Sequence, residues 1–191
     1  VISNRQPFTS EIEAFIDSLG GKQSREITFA SMIYFKKNNG TRLIQVKAVE
    51  GEFPYYGALE TLPTEAAGSF RQGGKALVDH GLMLQFGAEA GDTITLGAQS
   101  FVIEGRLQKV PGESAATQLV SPPVYIPMHD LASTNLLKRG SRVMYRVYFK
   151  FDENVDMAVL SEKIKPRLQA NQLGYETVES RIVQTADAIS G

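Results

Sequence analysis

The sequence of 191 residues contains no cysteine, and histidine occurs only at His80 and His129. The absence of cysteine excludes disulfide bonds, thiolate metal sites and thiol nucleophiles, so packing and hydrogen bonds must stabilise the fold. The sequence also lacks any run of about 18 apolar residues, the length that a membrane-spanning helix requires. These absences predict a soluble piece of protein that folds without covalent cross-links.

The sequence also lacks an excess of positive or negative charge. Lysine and arginine number 20 against 21 aspartate and glutamate residues, so the formal net charge is -1, and no basic run concentrates charge locally. Nucleic acid and anionic bilayers are not expected as partners, because nothing in the charge pattern would attract them. With 42% hydrophobic and 21% charged residues, the composition is that of a globular protein long enough to bury a core.

Catalytic chemistry has few carriers in this sequence. A nucleophilic serine or threonine needs a base beside it. Either histidine could pair with an adjacent acid, Asp79 or Asp130, but sequence neighbours on a strand or helix point to different sides. Two isolated histidines also lack the repeated spacing of a metal site. We therefore predict no catalytic residues, no metal site and no bound cofactor, and we expect that the chain is not an enzyme.

A glycine-rich segment, Gly68–Lys75, has some features of a phosphate-binding loop. It departs from that motif because five residues instead of four separate Gly68 from Gly74, and Ala76 stands where a serine or threonine is required. Pro63 also occupies the place of the leading strand. We interpret the segment as a connection between lobes.

Hydrophobic periodicity predicts a mixture of helices and strands. The first predicted elements are a helix with a capping box at Ser10 and Glu13 that ends at Gly20, and a hairpin of strands 27–35 and 43–49 with its turn at 38–40. The middle of the chain follows with a strand at 77–78, a helical turn at 82–86, strands at 93–96 and 101–107, a polar loop at 111–117, a strand at 124–126 and a helix at 130–137. The last elements are a strand at 143–149, a helix capped by Asn154 or Asp156 that Pro166 kinks or ends, a strand at 175–179 and a final helix from Ile182.

This order predicts an α+β fold made of two lobes. The stretch 50–74 shows no sustained period and carries two prolines and five glycines, so we place a lobe boundary within it. The outer thirds of the chain share strands and helices, while the middle is mainly β. We therefore predict one α/β lobe from both chain ends, residues 1–66 and 141–191, with a smaller β-rich lobe, residues 67–140, inserted between them.

Three aromatic residues surround a proline at Phe53-Pro54-Tyr55-Tyr56, in a stretch without periodicity where the lobes should meet. Aromatic side chains bury large areas, so packing between the lobes is one interpretation. A patch that faces a partner is the other, because aromatic residues are enriched at interfaces. Phe53, Pro54, Tyr55 and Tyr56 are therefore the candidate contact residues.

Two long segments carry a resemblance to a known family. They read VKAVEGEFPYYGAL at 46–59 and ALVDHGLMLQFGAEAGDTITLGAQSFVIEGRL at 76–107, and the opening Val1–Pro7 and the stretch 131–148 follow the same pattern in the same order. Together they resemble the extracytoplasmic domain of permeases in the FtsX/MacB superfamily of ABC transporters, and in particular its YbbP-like branch. Gln6 and the loop at 111–117 depart from the pattern.

The resemblance implies a porter-like α/β lobe near the membrane with an inserted, smaller, β-rich lobe called Sabre. It further implies membrane helices in the same full-length chain, a cytoplasmic ABC ATPase subunit that drives them, and a place in the bacterial inner membrane with this domain on the periplasmic side. The implied role is non-catalytic. Such a domain transmits ATP-driven motion to an extracytoplasmic substrate or partner, for example lipids, peptides, a lipoprotein or an esterase.

Three hypotheses follow from these observations. The first is the permease domain, which requires apolar runs of about 20 residues before Val1 and after Gly191 in a longer gene product. The second is a free periplasmic ligand-binding or adaptor domain, which requires an enclosed apolar pocket. The third is a hydrolase, whose activity would depend on His80 or His129.

Overall fold

The computed structural model describes residues 1–55, 57–138 and 141–177. The chain forms two compact units, one made of Val1–Arg25 and Met144–Gly191 and the other of Glu26–Val143. The first unit contains both ends of the chain, and the second is one continuous segment. Helices and strands alternate irregularly along the chain, so the predicted α+β class is confirmed.

The described residues contain strands and helices with the following bounds. The strands are β1 (Ile2–Asn4), β2 (Lys22–Phe35), β3 (Gly40–Glu50), β4 (Glu60–Leu62), β5 (Lys75–Asp79), β6 (Thr93–Leu96), β7 (Gln99–Lys109), β8 (Pro123–Pro127), β9 (Val143–Lys150) and β10 (Gly174–Tyr175). The helices are α1 (Ser10–Leu19), α2 (Ala66–Ser69), α3 (His80–Phe86), α4 (Ala115–Val120), α5 (Leu131–Thr134) and α6 (Met157–Ala170), with 3₁₀ turns at Phe70–Gln72 and Met128–Asp130.

The unit that contains both chain ends is a small antiparallel sheet packed against two helices. β1 pairs with β10 on one side and with β9 on the other, where Ile2 stands opposite Val147. Apolar residues recur every three or four positions along α1 and α6, so each helix presents one apolar stripe to the sheet. The residues of these stripes in the core are Ile12, Phe15, Ile16, Ile164 and Leu168.

The unit of Glu26–Val143 is built around a sheet that closes on itself. Its strands follow the order β2, β3, β8, β5 and β7, and β6 pairs with both β7 and β2, which completes a ring. The pairs β3–β8 and β5–β7 are parallel, whereas β5–β8, β6–β7 and β6–β2 are antiparallel. β4 extends the sheet beyond β7.

Side-chain alternation separates the inside of this ring from its outer face. Ile44, Val46 and Ala48 of β3 belong to the main core of the unit. Each of the other five strands of the ring also contributes buried apolar side chains to the same cluster. Core burial on alternate positions explains why the sequence signals for these strands are regular, because each strand has one face in the core and one outside it.

Part of the outer face is covered by the connection between β4 and β5. Leu77 and Tyr125 point outward from β5 and β8, and they form a second cluster with Ala66 of α2 and Phe70 of the following 3₁₀ turn. Phe70 and Tyr125 are fully buried. The outer face is therefore layered at this place, with the short helix on top of the sheet.

The turn between β6 and β7 depends on a glycine. Gly97 has a φ angle of +58°, and a Cβ atom at this position would overlap the carbonyl oxygen of Thr134. The next residue, Ala98, donates its backbone N–H to that same oxygen at 2.8 Å. The close approach fixes the end of α5 against this turn.

Several predicted elements differ from the structure. The N-cap of α1 is Thr9 instead of Ser10: Thr9 has extended backbone angles and accepts from the N–H of Ile12, whereas Ser10 is already helical. The predicted polar loop at 111–117 is wrong in its second half, because Ser114 caps the short helix α4. The predicted helix at 130–137 is a 3₁₀ turn followed by α5, which ends at Thr134.

Pro166 does not end α6. The helix continues to Ala170, so of the two alternatives, a kink or an early end, the early end is wrong and the kink stays a prediction. A proline inside a helix costs about 3 kcal/mol, but Leu168, beyond the proline, is fully buried in the core and its packing offsets this cost. The cap is Asp156, one of the two predicted candidates. The predicted final helix from Ile182 and the end of the predicted strand at 175–179 lie outside the described residues.

The compact units divide the chain at 25/26 and 143/144, whereas the predicted lobes divide it at 66/67 and 140/141. β2 and β3 belong to the closed sheet, which is why residues 26–50 group with the middle of the chain. Compactness is not a test of which part is porter-like, so the lobes 1–66, 67–140 and 141–191 stay a prediction. Within the described residues, no helix is long and apolar enough to cross a membrane.

Candidate interaction site

Phe53 packs on the covered part of the outer face. Its ring stacks on that of Tyr125, with 6.3 Å between the ring centroids and 27° between the planes. Phe53 is half-buried, and it also contacts the cluster around Phe70. Stacked aromatic pairs of this kind contribute about 1 kcal/mol beyond the area that they bury. The ring therefore anchors the segment to the sheet.

Arg71 holds the backbone of the same segment. Its guanidinium donates to the carbonyl oxygens of Gly51 and Phe53, the latter at 2.6 Å, and lies 5.5 Å from the centre of the Phe70 ring. Burial lowers the pKa of Arg71 from its ordinary value. Arginine still keeps its charge at physiological pH, because its ordinary pKa is so high. Two bonds from one rigid group fix the conformation of the backbone that precedes Pro54.

A buried ion pair lies beside Tyr125. The ammonium of Lys47 contacts the carboxylate of Glu113, and their side chains are only 10% and 15% exposed. The same ammonium lies 5.7 Å from the centre of the Tyr125 ring. Both ions have lost most of their hydration, so each depends on the other for compensation. The pair ties the loop before α4 to β3.

The chain approaches that loop just after the candidate segment, at Gly57. The Phe53–Pro54 peptide bond is cis, and Pro54 and Tyr55 are half-buried. Gly57 approaches Pro111 so closely that a Cβ atom at Gly57 would lie 3.0 Å from the proline ring. Tyr56 lies outside the described residues. The structure thus brings together apolar rings, the buried ammonium of Lys47 and the half-buried guanidinium of Arg71. A role in joining the lobes or docking a partner stays a prediction.

The first histidine lies at the carboxyl end of β5. His80 has its Nδ1 atom 3.3 Å from the guanidinium of Arg106. Its neighbour Asp79 caps α3 and accepts from the N–H of Leu82 at 3.1 Å. Burial raises the pKa of Asp79 above its usual value, although backbone hydrogen bonds and nearby positive groups oppose this shift. The carboxylate has a capping role that explains its position.

The second histidine lies on the surface. His129 has a side chain that is 59% exposed, and its Nε2 atom is 3.9 Å from the carboxylate of Asp130. That carboxylate also accepts from the backbone N–H of Gly74 at 2.8 Å. Across the described parts of the chain, no group of three or more histidine or carboxylate side chains could hold a metal ion.

The segment Gly68–Lys75 is helix, turn and strand. Gly68 lies within α2, so its backbone N–H is used inside the helix and does not face a ligand. Ser69 donates to Glu104 at 2.7 Å, and Lys75 lies 3.3 Å from the same carboxylate. The hydrogen bond from Ser69, together with Lys75, lowers the pKa of Glu104. These contacts are structural and give the segment no phosphate cradle.

Comparison with known families gives a match along most of the chain. The model for the MacB-like periplasmic core domain matches residues 3–167. The chain belongs to this family. The resemblance to FtsX/MacB-type extracytoplasmic domains that the sequence suggests is therefore confirmed.

This MacB-like periplasmic core domain is also similar to a curated protein, the uncharacterized ABC transporter permease YbbP of Escherichia coli (strain K12). The two are 30% identical over 156 residues, which is 82% of this chain and 19% of that protein. The chain thus spans about a fifth of the length of this relative. The YbbP-like branch named from the sequence agrees with this similarity.

Solved structures share the fold of this core domain. A domain of a putative permease from Porphyromonas gingivalis matches with a TM-score of 0.54 at 14% identity, over 89% of this chain and 86% of that one. The periplasmic region of MacB from Actinobacillus actinomycetemcomitans matches with a TM-score of 0.53 at 12% identity, over 97% and 91%. The extracellular domain of the transporter YknZ from Gram-positive bacteria has a TM-score of 0.52 at 12% identity, over 84% and 79%.

The ionic contacts of the site in this core domain are only weakly indicated by the sequence. Lys47 interrupts a run of apolar residues in β3, and a charged residue among buried neighbours is a signal for a buried partner. The partner, Glu113, lies in a polar loop where nothing distinguishes it from solvated carboxylates. The sequence indicates Arg71 only as part of the connection between lobes. Its role depends on which backbone carbonyls the fold brings within its reach.

Proposed function

We propose that this core domain is the extracytoplasmic part of an ABC transporter permease, and that it transmits ATP-driven motion of membrane helices to a substrate or partner outside the inner membrane. The observation that carries the proposal is the family match over residues 3–167. The similarity to a permease over 82% of the chain supports it. The role is mechanical and non-catalytic.

The proposal names two kinds of direct partner. The first is the set of transmembrane helices in the domain's own full-length chain, and the second is a cytoplasmic ABC ATPase subunit that drives them. The domain lies on the periplasmic side of the bacterial inner membrane. There it acts on lipids, lipoproteins or peptides, or on a periplasmic protein such as an esterase or a lipoprotein. The porter-like lobe of residues 1–66 and 141–191 and the inserted lobe of residues 67–140 are part of this proposal.

A domain that carries motion needs packed connections, because a flexible tether would dissipate the displacement. The packing of Phe53 on the sheet is suited to this task. Its ring stacks on Tyr125, and Arg71 holds its backbone carbonyl at 2.6 Å. The buried pair of Lys47 and Glu113 fastens the adjacent loop. Displacement of this segment would thus be carried into the closed sheet.

The alternative of a free ligand-binding or adaptor domain requires an enclosed apolar pocket. A depression of about 350 Å³ lies on α4, lined by Ala116, Thr117, Val120 and Ser121, and it is open to solvent. An open depression would not bury most of a small ligand, so it does not favour this alternative.

A topology experiment tests the proposal. Because the chain has no cysteine, Val159→Cys on the exposed part of α6 would provide a single label site within it. In intact cells with a permeabilised outer membrane, we expect a membrane-impermeant maleimide to react with this residue in the full-length protein. A cytosolic cysteine in the ATPase serves as the negative control. Labelling only after lysis of the inner membrane would contradict the proposal, as would a full-length product without apolar runs of about 20 residues on both sides.

A further inference from the structure

Residues 51–55 form a loop that lies on a well-packed part of the sheet. The loop belongs to neither a helix nor a strand, so it lacks the backbone ladder that holds such elements in place. It begins at Gly51, and Gly51 and Glu52 are both exposed, while Phe53 is half-buried. We call these residues loop 51–55. Its position therefore depends on the contacts of its side chains and carbonyl groups.

The groups beneath the loop have contacts of their own. Tyr125 in β8 and Phe70 in the covering 3₁₀ turn are fully buried. The guanidinium of Arg71 lies 5.5 Å from the centre of the Phe70 ring, and the ammonium of Lys47, 5.7 Å from the centre of the Tyr125 ring, pairs with Glu113. Phe70, Arg71, Tyr125 and Lys47 together are the Tyr125 site. Because contacts outside the loop position each of them, the site keeps its shape without the loop.

Loop 51–55 occupies the Tyr125 site in the way that a bound peptide does. The ring of Phe53 stacks on Tyr125 with 6.3 Å between the centroids. Arg71 donates to the carbonyl oxygens of Gly51 and Phe53. An aromatic anchor on a buried surface, joined to charge-assisted hydrogen bonds from arginine, is the usual composition of a binding hot spot. None of these contacts requires the loop to belong to the same chain as the site.

The same contacts define the chemistry of a segment that could replace the loop. Such a segment carries an aromatic side chain that stacks on Tyr125, and its backbone is extended enough to offer Arg71 two carbonyl oxygens two residues apart. It needs no acidic side chain for Lys47, because Glu113 already compensates that ammonium. The site is thus suited to an aromatic peptide segment.

We propose that the Tyr125 site is an exchange site, which binds an aromatic, extended segment of an extracytoplasmic partner protein when loop 51–55 leaves it. The proposal rests on the proposed function, because ATP-driven displacement of the loop is what vacates the site. Until then the loop is a tethered competitor with an effective concentration on the order of millimolar, which excludes a partner of ordinary affinity. The loop is therefore an autoinhibitory contact.

Peptide binding to the full-length permease tests this exchange. The probe is a fluorescently labelled peptide with capped ends and the sequence of residues 51–55, and fluorescence anisotropy measures its binding. The open variant carries Glu52→Gly, Phe53→Ser, Pro54→Gly and Tyr55→Ser. We expect the open variant to bind the probe about tenfold or more tightly than the native permease does, because the tethered competitor is lost. Phe53→Ala should also bind it more tightly, and this variant carries the test if the open variant does not fold.

Matched changes show whether the named contacts hold the probe. A probe with alanine in place of its phenylalanine should bind the open variant about tenfold more weakly. Arg71→Gln in the open variant should weaken binding by about the same factor, because the charge-assisted hydrogen bonds are lost. Arg106→Gln is the control, since that guanidinium contacts His80 and not the loop, and it should leave binding unchanged. The unfolding midpoint of each variant shows that it is folded.

The first set of outcomes concerns the site itself. The exchange site is refuted if the folded open variant and Phe53→Ala bind the probe no better than the native permease does. It is also refuted if binding does not depend on the phenylalanine of the probe or on Arg71. Dimers between the open variant and the native chain would assign the site to a second copy, and tighter binding of a fluorescent phospholipid than of the probe would assign it to lipid. Either result overturns the partner segment.

A second measurement separates the site from the function that it serves. The native permease with its ATPase should bind the probe several-fold more tightly with ATP than without nucleotide, because displacement of loop 51–55 raises the fraction of vacant sites. If the open variant binds the probe as expected while ATP has no effect on the native permease, the exchange site stands and the motion in the proposed function is refuted at this loop. If the open variant does not bind, only the exchange site is refuted.

Discussion

At the scale of single residues, the buried pair of Lys47 and Glu113 offers the sharpest test of the packing described here. Lys47→Met leaves a carboxylate that is 15% exposed without its partner. Removing one member of a buried ion pair costs about 3 kcal/mol or more, so we expect a loss of this size in the free energy of unfolding. Urea denaturation of the isolated domain measures it.

The control for this prediction is the variant Lys47→Met/Glu113→Gln, which replaces both ions by neutral groups of similar size. Most of the lost stability should return, because no uncompensated charge remains. If the losses in unfolding free energy of Lys47→Met and Glu113→Gln add up to the loss of the double variant, the two side chains are not coupled. The loop before α4 would then be held by other contacts.

The buried carboxylate of Asp79 predicts a pH dependence. Burial raises its pKa in the folded state, so the folded protein binds the proton more tightly than the unfolded chain does. The contribution of this group to stability is therefore greatest below its unfolded pKa of about 4 and is lost as the pH rises through the raised pKa.

Asp79→Asn keeps a side chain that can cap α3 but does not titrate. The difference in unfolding free energy, native protein minus Asp79→Asn, should thus decrease between pH 3 and pH 7. Denaturation curves at several pH values give this difference. A difference that increases over this range would mean that hydrogen bonds to the carboxylate outweigh its burial.

Individual site residues were harder to predict than the patterns that contain them. The sequence singled out Phe53 for its aromatic neighbours and the structure places that ring in a packed cluster. It did not single out Arg71 or Glu113, because the contacts of both residues are with groups far along the chain. Such contacts depend on tertiary geometry, which local sequence patterns do not contain.

At the scale of elements, α6 predicts a gain from a single substitution. Pro166 lies in the helix interior and is exposed, so it removes a backbone donor without contributing to the core. Pro166→Ala should raise the free energy of unfolding by about 1 to 3 kcal/mol. Lys163→Ala, another exposed position on the same helix, should change it by less than about 0.5 kcal/mol. A loss of stability in Pro166→Ala would show that the helix is shaped around the proline.

The aromatic segment predicts unequal effects for its two described rings. Phe53→Ala removes a ring that stacks on Tyr125 and should cost about 2 to 3 kcal/mol, below the value for a fully buried phenylalanine because Phe53 is half-buried. Tyr55→Ala should cost less than about 1 kcal/mol, since no ring of the cluster stacks on it. Thermal unfolding of both variants checks the order. Equal losses of stability in Phe53→Ala and Tyr55→Ala would show that Phe53 is not the residue that anchors the segment.

Elements with a buried face were predictable, and a short helix without one was not. The hairpin of β2 and β3 and the pair β6 and β7 follow from alternation and turn residues, because each strand separates the core from the outside. The helix α4 escaped prediction because none of its residues is buried, so no period marks it. The predicted cap of α1, Ser10, lies one residue after the observed cap, Thr9. Threonine and serine are both good caps, so only the backbone geometry decides between the two positions.

At the scale of the whole molecule, the α+β class follows from the order of elements along the chain, and the family follows from the resemblance of the segments at 46–59 and 76–107. Closure of the sheet in residues 26–143 did not, because it depends on β6 pairing with β2 across some 60 residues of sequence. Long-range pairings of this kind leave no local trace. The same closure provides the rigid body on which the aromatic segment is seated.

Under the proposed function, ATP-driven motion reaches the segment that packs on Tyr125. Tyr55→Cys is a half-buried reporter in a domain without other cysteines, and Val120→Cys, at 84% exposure, is the control for reagent access. Any cysteine elsewhere in the full-length permease is first replaced by serine. With the full-length permease reconstituted with its ATPase, the rate of maleimide labelling at position 55 is measured with ATP, without nucleotide, and with a hydrolysis-deficient ATPase. We expect a several-fold difference in this rate at position 55 between ATP and the other two conditions, with no difference at position 120. Equal rates at position 55 in all three conditions would contradict it.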